Sequence, residues 1–401
     1  MRGARGEINL PSYWLAATQA DHGPPPRRLP SEVEVVVVGG GVMGVATTYW
    51  LARHGVAVLL LEAGLLASRA TGRNAGLALA GRHPIEDPAL VRTVVREEKI
   101  EADYAEPGHL ALASSPEIWE RICQEAAGRV GSASPVFALE LAECEAVLGM
   151  RISDRLLGGR WLPNGGSLHP VRFTHGLAAA AVRRGAILAT HTRVVEVARS
   201  NLDDWNRITT PRGCVRARHV VFACGVHLAE LLPSFREVIT PVRGQVMSTE
   251  PLPALFRVGL AIDWGTVYWR QTPDGVIVLG GYRNLDPEAE TGTSEALNPR
   301  IHDALTRFLP ETFPELPAIR VGMRWSGCMD YSKDGRPLIG PLGHPPNQWV
   351  VAGFGGHGMP PALGAGKAIA EAIVSGQVPT WLEPFDPGRF AKGSAAVQEL
   401  S

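Results

Sequence analysis

Hydrophobic positions fall into short apolar runs and longer stretches with helical spacing. Val35-Val-Val-Val38 and Leu59-Leu-Leu61 are unbroken apolar runs, the pattern of strands buried on both faces. The segment between them has a helical pattern through Trp50, Leu51 and Arg53. Pro88 to about Ala105 reads as a helix, with Leu90, Val94 and Val95 on one face and Arg96, Glu97, Glu98, Lys99 and Glu101 on a solvated one. Pro116–Gly128 and Leu139–Leu148 read as further helices. The pattern changes near Gly165. A helix begins at His169-Pro-Val-Arg-Phe, runs through Leu177–Val182 and stops at Gly185. Strands are expected at Ala186–Leu188, Arg193–Ala198 and Arg218–Ala223. A β-patterned block spans Val238–Gly281, turns at Pro273-Asp-Gly275 and carries Trp264, Tyr268 and Trp269. Trp349-Val-Val-Ala352, a glycine-rich turn and the helical run Ala362–Val374 close the pattern, and no internal repeat is present.

The first strand ends in Gly39, Gly41 and Gly44, and the second in Glu62. Strand, glycine turn, helix, strand and acid form the layout of a dinucleotide-binding βαβ unit. Gly39 allows the tight turn, Gly41 lets a pyrophosphate approach the backbone, and Gly44 lets helix and strand pack closely. Phosphates would sit on N–H groups at the helix N-terminus, and Glu62 would hold ribose hydroxyls. The alternative is a tight turn that binds nothing.

The 401 residues carry 39 basic and 40 acidic side chains, so nothing points to nucleic acid or a membrane surface as partner. No apolar run is long enough to span a bilayer, and no secretory apolar core follows Arg2 and Arg5, so a cytoplasmic protein is expected. The cysteines, Cys123, Cys144, Cys214, Cys224 and Cys328, are widely spaced with no Cys-x-x-Cys pair, which argues against a disulfide framework or a metal site.

Further segments carry candidate chemistry. Thr71-Gly-Arg-Asn74 is small and polar, so its backbone could approach a flat ring or a diphosphate; a plain surface loop is the alternative. Phe222-Ala-Cys-Gly225 ends a strand. Gly353-Phe-Gly-Gly-His-Gly358 precedes a helix, and a glycine turn at a helix N-terminus presents N–H donors to an electron-rich oxygen.

Together these segments resemble the FAD-dependent D-amino-acid oxidase superfamily, with its glycine-oxidase-like, sarcosine-oxidase-like and gamma-glutamylputrescine-oxidase-like branches. The likeness runs from Tyr13 to about Val378. It includes Leu168-His-Pro-Val-Arg172, Thr240-Pro-Val-Arg-Gly-Gln245, Tyr268-Trp-Arg-Gln-Thr-Pro-Asp-Gly275, Arg324-Trp-Ser-Gly and Asp334-Gly-Arg-Pro-Leu-Ile-Gly340. Ser12-Tyr-Trp14 and the Gly-Arg-Asn loop look most like gamma-glutamylputrescine oxidases.

The resemblance implies an α/β fold: a discontinuous Rossmann-like FAD domain (33–82, 165–232 and 320–377) and a mixed-sheet substrate domain (83–164 and 233–319). An arm (1–32), stiffened by Pro24-Pro-Pro26, and a tail (378–401) flank them. It implies non-covalent FAD, held by Gly39, Gly41, Val42, Met43, Gly44, Glu62 and Ala63 on the ADP half. Val194 would meet the adenine, and Ala70, Thr71, Gly72, Arg73, Asn74 and Ala75 would lie along the pyrophosphate and flavin. Ala223, Gly225 and Arg324 join the set, with Gly355, Gly356, His357, Gly358 and Met359 facing the flavin edge.

The implied reaction is oxidation of a C–N bond of a primary or secondary amine to an imine, with oxygen or another acceptor reoxidising the flavin. His357, Tyr268, Asp330 and Arg270 are the candidate catalytic residues, each with a structural alternative. The glycine-oxidase type clamps the substrate carboxylate with an arginine where Met329 stands, so an amine without a standard α-carboxylate anchor is expected. Asp330 could attract a substrate ammonium, or serve as a turn residue or a partner for Arg324. Cys328 lies near the flavinylated cysteine of the sarcosine-oxidase branch and is read as buried and unreacted. Val278 and Pro360 replace that branch's basic residues. A D-amino-acid or glycine-type enzyme with a relocated carboxylate partner, and a non-catalytic FAD-binding subunit, are the alternatives. The oligomeric state stays open.

Overall fold

The computed structural model describes residues 11–18, 28–78, 85–129, 135–199, 204–343 and 347–393. The Pro24-Pro-Pro26 linker, Arg2 and Arg5 lie outside them. Among the described residues, no helix is long and apolar enough to cross a membrane.

Two large sheets face each other across the site. In the first, the path runs Leu338–Pro341, Gln348–Ala352, Gly213–Phe222, Glu32–Val38, Val58–Leu61, Ile187–Ala189. Glu32–Val38 lies between parallel neighbours on both sides, which explains its continuous apolar run. Val42–Arg53 packs on this sheet and against Ala362–Ser375 and Pro170–Arg183, all alanine- and glycine-rich where they meet. Gly366 sits against the backbone of Ala46 and Thr47, where any Cβ would collide at 2.7 Å.

The second sheet is ordered Val321–Ser332, Ile239–Thr249, Ile277–Gly281, Val267–Gln271, Gly259–Ile262, His109–Ala113, Gly158–Leu162, Phe137–Glu140. Its outer face packs on Pro299–Thr312 around Trp269, Phe308 and Phe313. Val246, Tyr268, Ala261, Ala111, Met329 and Tyr331 of this sheet line the cavity that residues of the first sheet also line.

Several expected boundaries move. Val321–Ser332 belongs to the second sheet through its long antiparallel pairing with Ile239–Thr249, although 320–377 was expected wholly in the cofactor domain. Val91 and Val94 pack into the first core, although 83–164 was assigned to the other domain. The expected helix from Pro88 to Ala105 stops at Glu97. Lys99 takes a left-handed φ of 53°, and Ile100 and Ala102 are buried in the first core. Apolar burial there outweighs the helical preference of the charged run. Phe137–Glu140 forms a strand, so the next helix starts at Leu141, with a reciprocal cap between Glu140 and Glu143. The strand expected from Arg193 begins at Glu196. Within 378–401, Leu382 and Phe385 are buried in the first core, so this part of the expected tail is docked.

Candidate functional site

The glycine turn after the first strand closes by contact. A Cβ on Gly39, whose φ is 114°, would lie 2.5 Å from the Ala223 carbonyl oxygen; on Gly44 it would lie 1.9 Å from that of Gly39. At Gly41 the nearest atom is only Thr71 Oγ1, at 3.3 Å, so its open side faces space. Gly41 caps Val42–Arg53, and Thr71 Oγ1 accepts from the Val42 amide at 3.0 Å. The Glu62 oxygens accept from the Gly40 and Gly64 amides, each at 2.6 Å. A carboxylate has further lone pairs, so Glu62 can still receive ribose hydroxyls.

These residues open onto a cavity of about 1750 Å3 between the sheets. From the turn its wall takes Gly39, Gly41, Val42 and Met43; from the second strand's end, Glu62 and Ala63. The next loop gives Ala70, Thr71, Arg73, Asn74 and Ala75. Val194, Ala223 and Gly225 join them, and the late glycine turn gives Gly355 to Met359. Gly44 and Gly72 lie behind the wall, where they allow close packing. Arg324 is exposed and lies outside the wall, so its expected cofactor role is not supported.

The 72–75 loop shows what the cavity is built to hold. The carbonyl oxygens of Gly72, Arg73, Asn74 and Ala75 accept from Ser12 Oγ, Trp325 Nε1, Trp14 Nε1 and Arg270 Nε in turn. All four are drawn to the protein side, which keeps carbonyl oxygen off the cavity side. Arg73 is buried, donates to the Ser326 carbonyl at 2.8 Å and pairs with Glu295 at 3.3 Å, tying the loop to the second sheet. Helix-start amides at Gly41, this loop and the glycine turn at 355–358 form a donor-rich channel suited to a diphosphate and an electron-rich ring. The residues fit a flavin dinucleotide.

Arg270 is a correction. It is buried beneath the loop, donates to Ala75 and Leu168 carbonyls at 3.1 Å, and stands 5.2 Å from the Trp14 ring centroid. Burial lowers its pKa to about 10. It positions the loop and does not touch the cavity. Trp14, only 1% exposed, locks the same loop from the arm. Asp330 accepts from the Gly353 amide at 2.6 Å, and its backbone carbonyl accepts from Gly355. It lines the cavity but holds the late turn in shape, and Arg324 is not its partner. Burial raises its pKa to about 6. His357 Nδ1–H donates to the Gly355 carbonyl at 3.0 Å, with the ring in the cavity wall. The Cys328 thiol donates to the Gly292 and Ser294 carbonyls, and burial raises its pKa to about 11, so it is a protonated, occupied thiol.

At the other end, Met329, Tyr268 and Tyr331, which the sequence already singles out, meet Arg283, which it does not flag. Met329 packs its sulfur 2.8 Å from where a Gly356 Cβ would stand, and Tyr331 Oη is 3.6 Å from the same point. Arg283 donates from Nη1 to Tyr331 Oη at 2.6 Å, with its guanidinium carbon 4.8 Å from that ring's centroid. Arg283 lines the cavity and makes no ion pair among the described residues. Tyr268 is close enough that the Tyr331 hydroxyl disfavours its ionisation; burial is the larger cause, raising its pKa to about 12. A guanidinium beside two phenol hydroxyls, next to the late glycine turn, has the donors to bind a carboxylate.

Comparison with known proteins gives the same frame. The sequence pattern of the FAD dependent oxidoreductase family (DAO) matches residues 34–372. Dimethylglycine dehydrogenase of Rattus norvegicus is 26% identical over 92% of this chain and 46% of its own length. The chain thus spans about half of that relative. The gamma-glutamylputrescine oxidoreductase of Escherichia coli is 25% identical over 85% of this chain and 83% of its own. The solved structure of L-proline dehydrogenase from P. horikoshii superposes with a TM-score of 0.80 at 22% identity, covering 91% of this chain and 99% of that one. The chain belongs to the FAD-dependent oxidoreductase family.

Proposed function

We propose, from that membership, that this chain oxidises a C–N bond of a primary or secondary amine that also carries a carboxylate. Bound FAD supplies the acceptor for a hydride equivalent from the carbon beside nitrogen, and the resulting imine hydrolyses in water. Gly39, Gly41, Glu62 and Val194 would hold the ADP half, with the 70–75 loop and the 355–359 turn along the flavin.

The residues' work is placement. Arg283, with the Tyr331 hydroxyl, would take the carboxylate and fix which C–H bond faces the ring. Tyr268 would close the pocket side as a neutral phenol. Its positive neighbour also disfavours an ammonium, so the amine would bind in the neutral form that can lose a hydride. Asp330 and the His357 ring hold the turn on which this placement depends.

The observation that carries the reading is Arg283, a cavity guanidinium with no acidic partner among the described residues, hydrogen-bonded to Tyr331 beside Gly356. It replaces the expectation drawn from Met329 of a substrate without a carboxylate anchor. The names of relatives share the carboxylate: dimethylglycine carries one on a tertiary amine, and gamma-glutamylputrescine joins one to a polyamine. The test is anaerobic loss of the yellow flavin absorbance with sarcosine, proline and glycine, set against dimethylamine and putrescine. Bleaching by the acids and not by the simple amines supports the proposal. Bleaching by the simple amines alone overturns it.

A further inference from the structure

The cavity does not end at the amine. Val246, Gly280, Tyr268, Ala261, Ala111 and Arg160 are register partners along one row of the second sheet. Partners in a row share a face, and all but Gly280 line the cavity. Past Tyr268 the row falls to the bare methyls of Ala261 and Ala111. It crosses five strand spacings in the sheet order, about 24 Å at ~4.8 Å each. A small carboxylated amine at Arg283 fills only one end.

The far end is charged and built. Arg121 and Arg160 place guanidinium carbons 5.5 and 5.4 Å from the Trp264 ring centroid. Arg160 is held by both oxygens of Glu125 at 2.7 Å. Arg121, on Pro116–Gly128, has no acidic partner among the described residues. The Asp263 carboxylate lies there too, with its oxygens taken by the Ser114 amide and hydroxyl. An independent feature is His109. It is 3% exposed, lines the cavity, and neither ring nitrogen has a hydrogen-bond partner. A buried polar group left unpaired is costly, so such an N–H favours a partner. Burial, helped by the nearby Arg160 charge, lowers its pKa to about 3, so the ring is neutral with one N–H to give.

We infer that the trough along the sheet leads to a second subsite, where Arg121 receives an acidic group at the far end of an elongated amine substrate while the His109 N–H meets polar atoms of its chain on the way. This rests on the proposed amine oxidation for its reacting end. The full-length FAD-loaded chain is given N-alkylglycines ending in methyl or in carboxylate, matched for length from four to eight chain atoms. The half-saturating concentration for anaerobic flavin bleaching is read. The carboxylate-ended chains are expected to saturate at least tenfold lower at the longer lengths. Arg121→Gln abolishes that advantage and leaves the methyl-ended chains unchanged. Equal saturation by the two series, or an advantage that survives Arg121→Gln, overturns the inference while leaving amine oxidation standing. A second readout needs no turnover: suberate must perturb the bound-flavin spectrum at lower concentration than octanoate. If it does not, the inference fails even where the amines are oxidised.

Discussion

Replacing Arg283 by methionine removes the charge of the proposed carboxylate anchor and keeps most of its length. Arg283 has no carboxylate partner to strand among the described residues; its hydrogen bond goes to the Tyr331 hydroxyl, which lines the cavity. The fold therefore loses little. The substrate loses a charge-assisted contact, about 1.5–3 kcal/mol, which corresponds to roughly a 10- to 150-fold rise in half-saturating concentration. The Tyr331→Phe variant removes one neutral hydroxyl, about 0.5–1.5 kcal/mol, and should cost only roughly 2- to 12-fold.

The assay is anaerobic bleaching of bound flavin by an N-methylated amino acid and by its neutral amide, run side by side. For Arg283→Met the acid should shift by the stated factor while the amide stays put. That difference separates anchoring from general damage, which would move both ligands together. Bound flavin per chain should equal that of the parent. If acid and amide shift alike, or neither shifts, Arg283 is not the anchor.

Other consequences follow from the same contacts. Gly44→Ala must move backbone, since its Cβ would stand 1.9 Å from the Gly39 carbonyl oxygen; at about 1–3 kcal/mol, FAD retention should weaken roughly 5- to 150-fold by fluorescence titration. Gly128→Ala, with nothing within 4 Å, is the control. Arg270→Met strands the Ala75 and Leu168 carbonyls, so the urea midpoint and flavin retention should both fall by about 2–6 kcal/mol in sum, with the acid-to-amide preference unchanged. Burial lowers His169 and His109 to about 3 and His302 to about 4. Their folded-state values are depressed, so the unfolded chain binds more protons between pH 4 and 6.5. Stability is complete above about 6.5 and is lost below it, by at most about 1.4 kcal/mol per pH unit for each histidine. Asp330, raised to about 6, works the other way: it is protonated when folded, and its ionisation costs stability as pH rises from about 4 to 6. Urea melts at pH 7.5 and 5.5 test the balance, and a midpoint that rises on acidification refutes it.

The cofactor half was legible because phosphate binding needs backbone, and backbone needs glycine. Gly39, Gly41 and the turn at 355–358 leave a pattern that any strand-turn-helix reader can find. The proposed substrate half was less so, because beyond Met329, Asp330 and Tyr268 its candidate residues are single side chains on ordinary strands. His109 occupies a strand position like any other, and Arg283 follows a strand end with no motif around it. Arg270 and Arg324 attracted notice through neighbouring motifs, yet one supports the loop from beneath and the other is exposed. Trp325, Gly327, Met329 and Tyr331 share one face of their strand and Arg324 takes the other, at the strand end away from the cavity-lining run 327–331. The stitching of four successive carbonyls was hidden for another reason. Its donors, Ser12, Trp14, Arg270 and Trp325, come from four separated segments that only the fold brings together.

Arg283 reaches the site through a bend, not a register position. Gly281 ends its strand with φ 141°, where a Cβ would strike the Thr266 carbonyl oxygen at 2.3 Å, and Tyr282 follows in the left-handed region at φ 55°. The Tyr282 amide donates to that same carbonyl at 2.7 Å, so the bend is fixed by more than one contact. Left-handed backbone at a tyrosine costs on the order of 1 kcal/mol and persists only where its surroundings demand it. The bend lifts Arg283 over the Tyr331 ring, beside the turn that Met329 packs against. Arg283 thereby reaches Tyr331, whose hydroxyl lies 3.6 Å from where a Gly356 Cβ would stand, a region where Met329 supplies no cation. On the proposed carboxylate anchor, the substrate class of this chain follows from Arg283 reaching that space, and Met329 does not decide it alone.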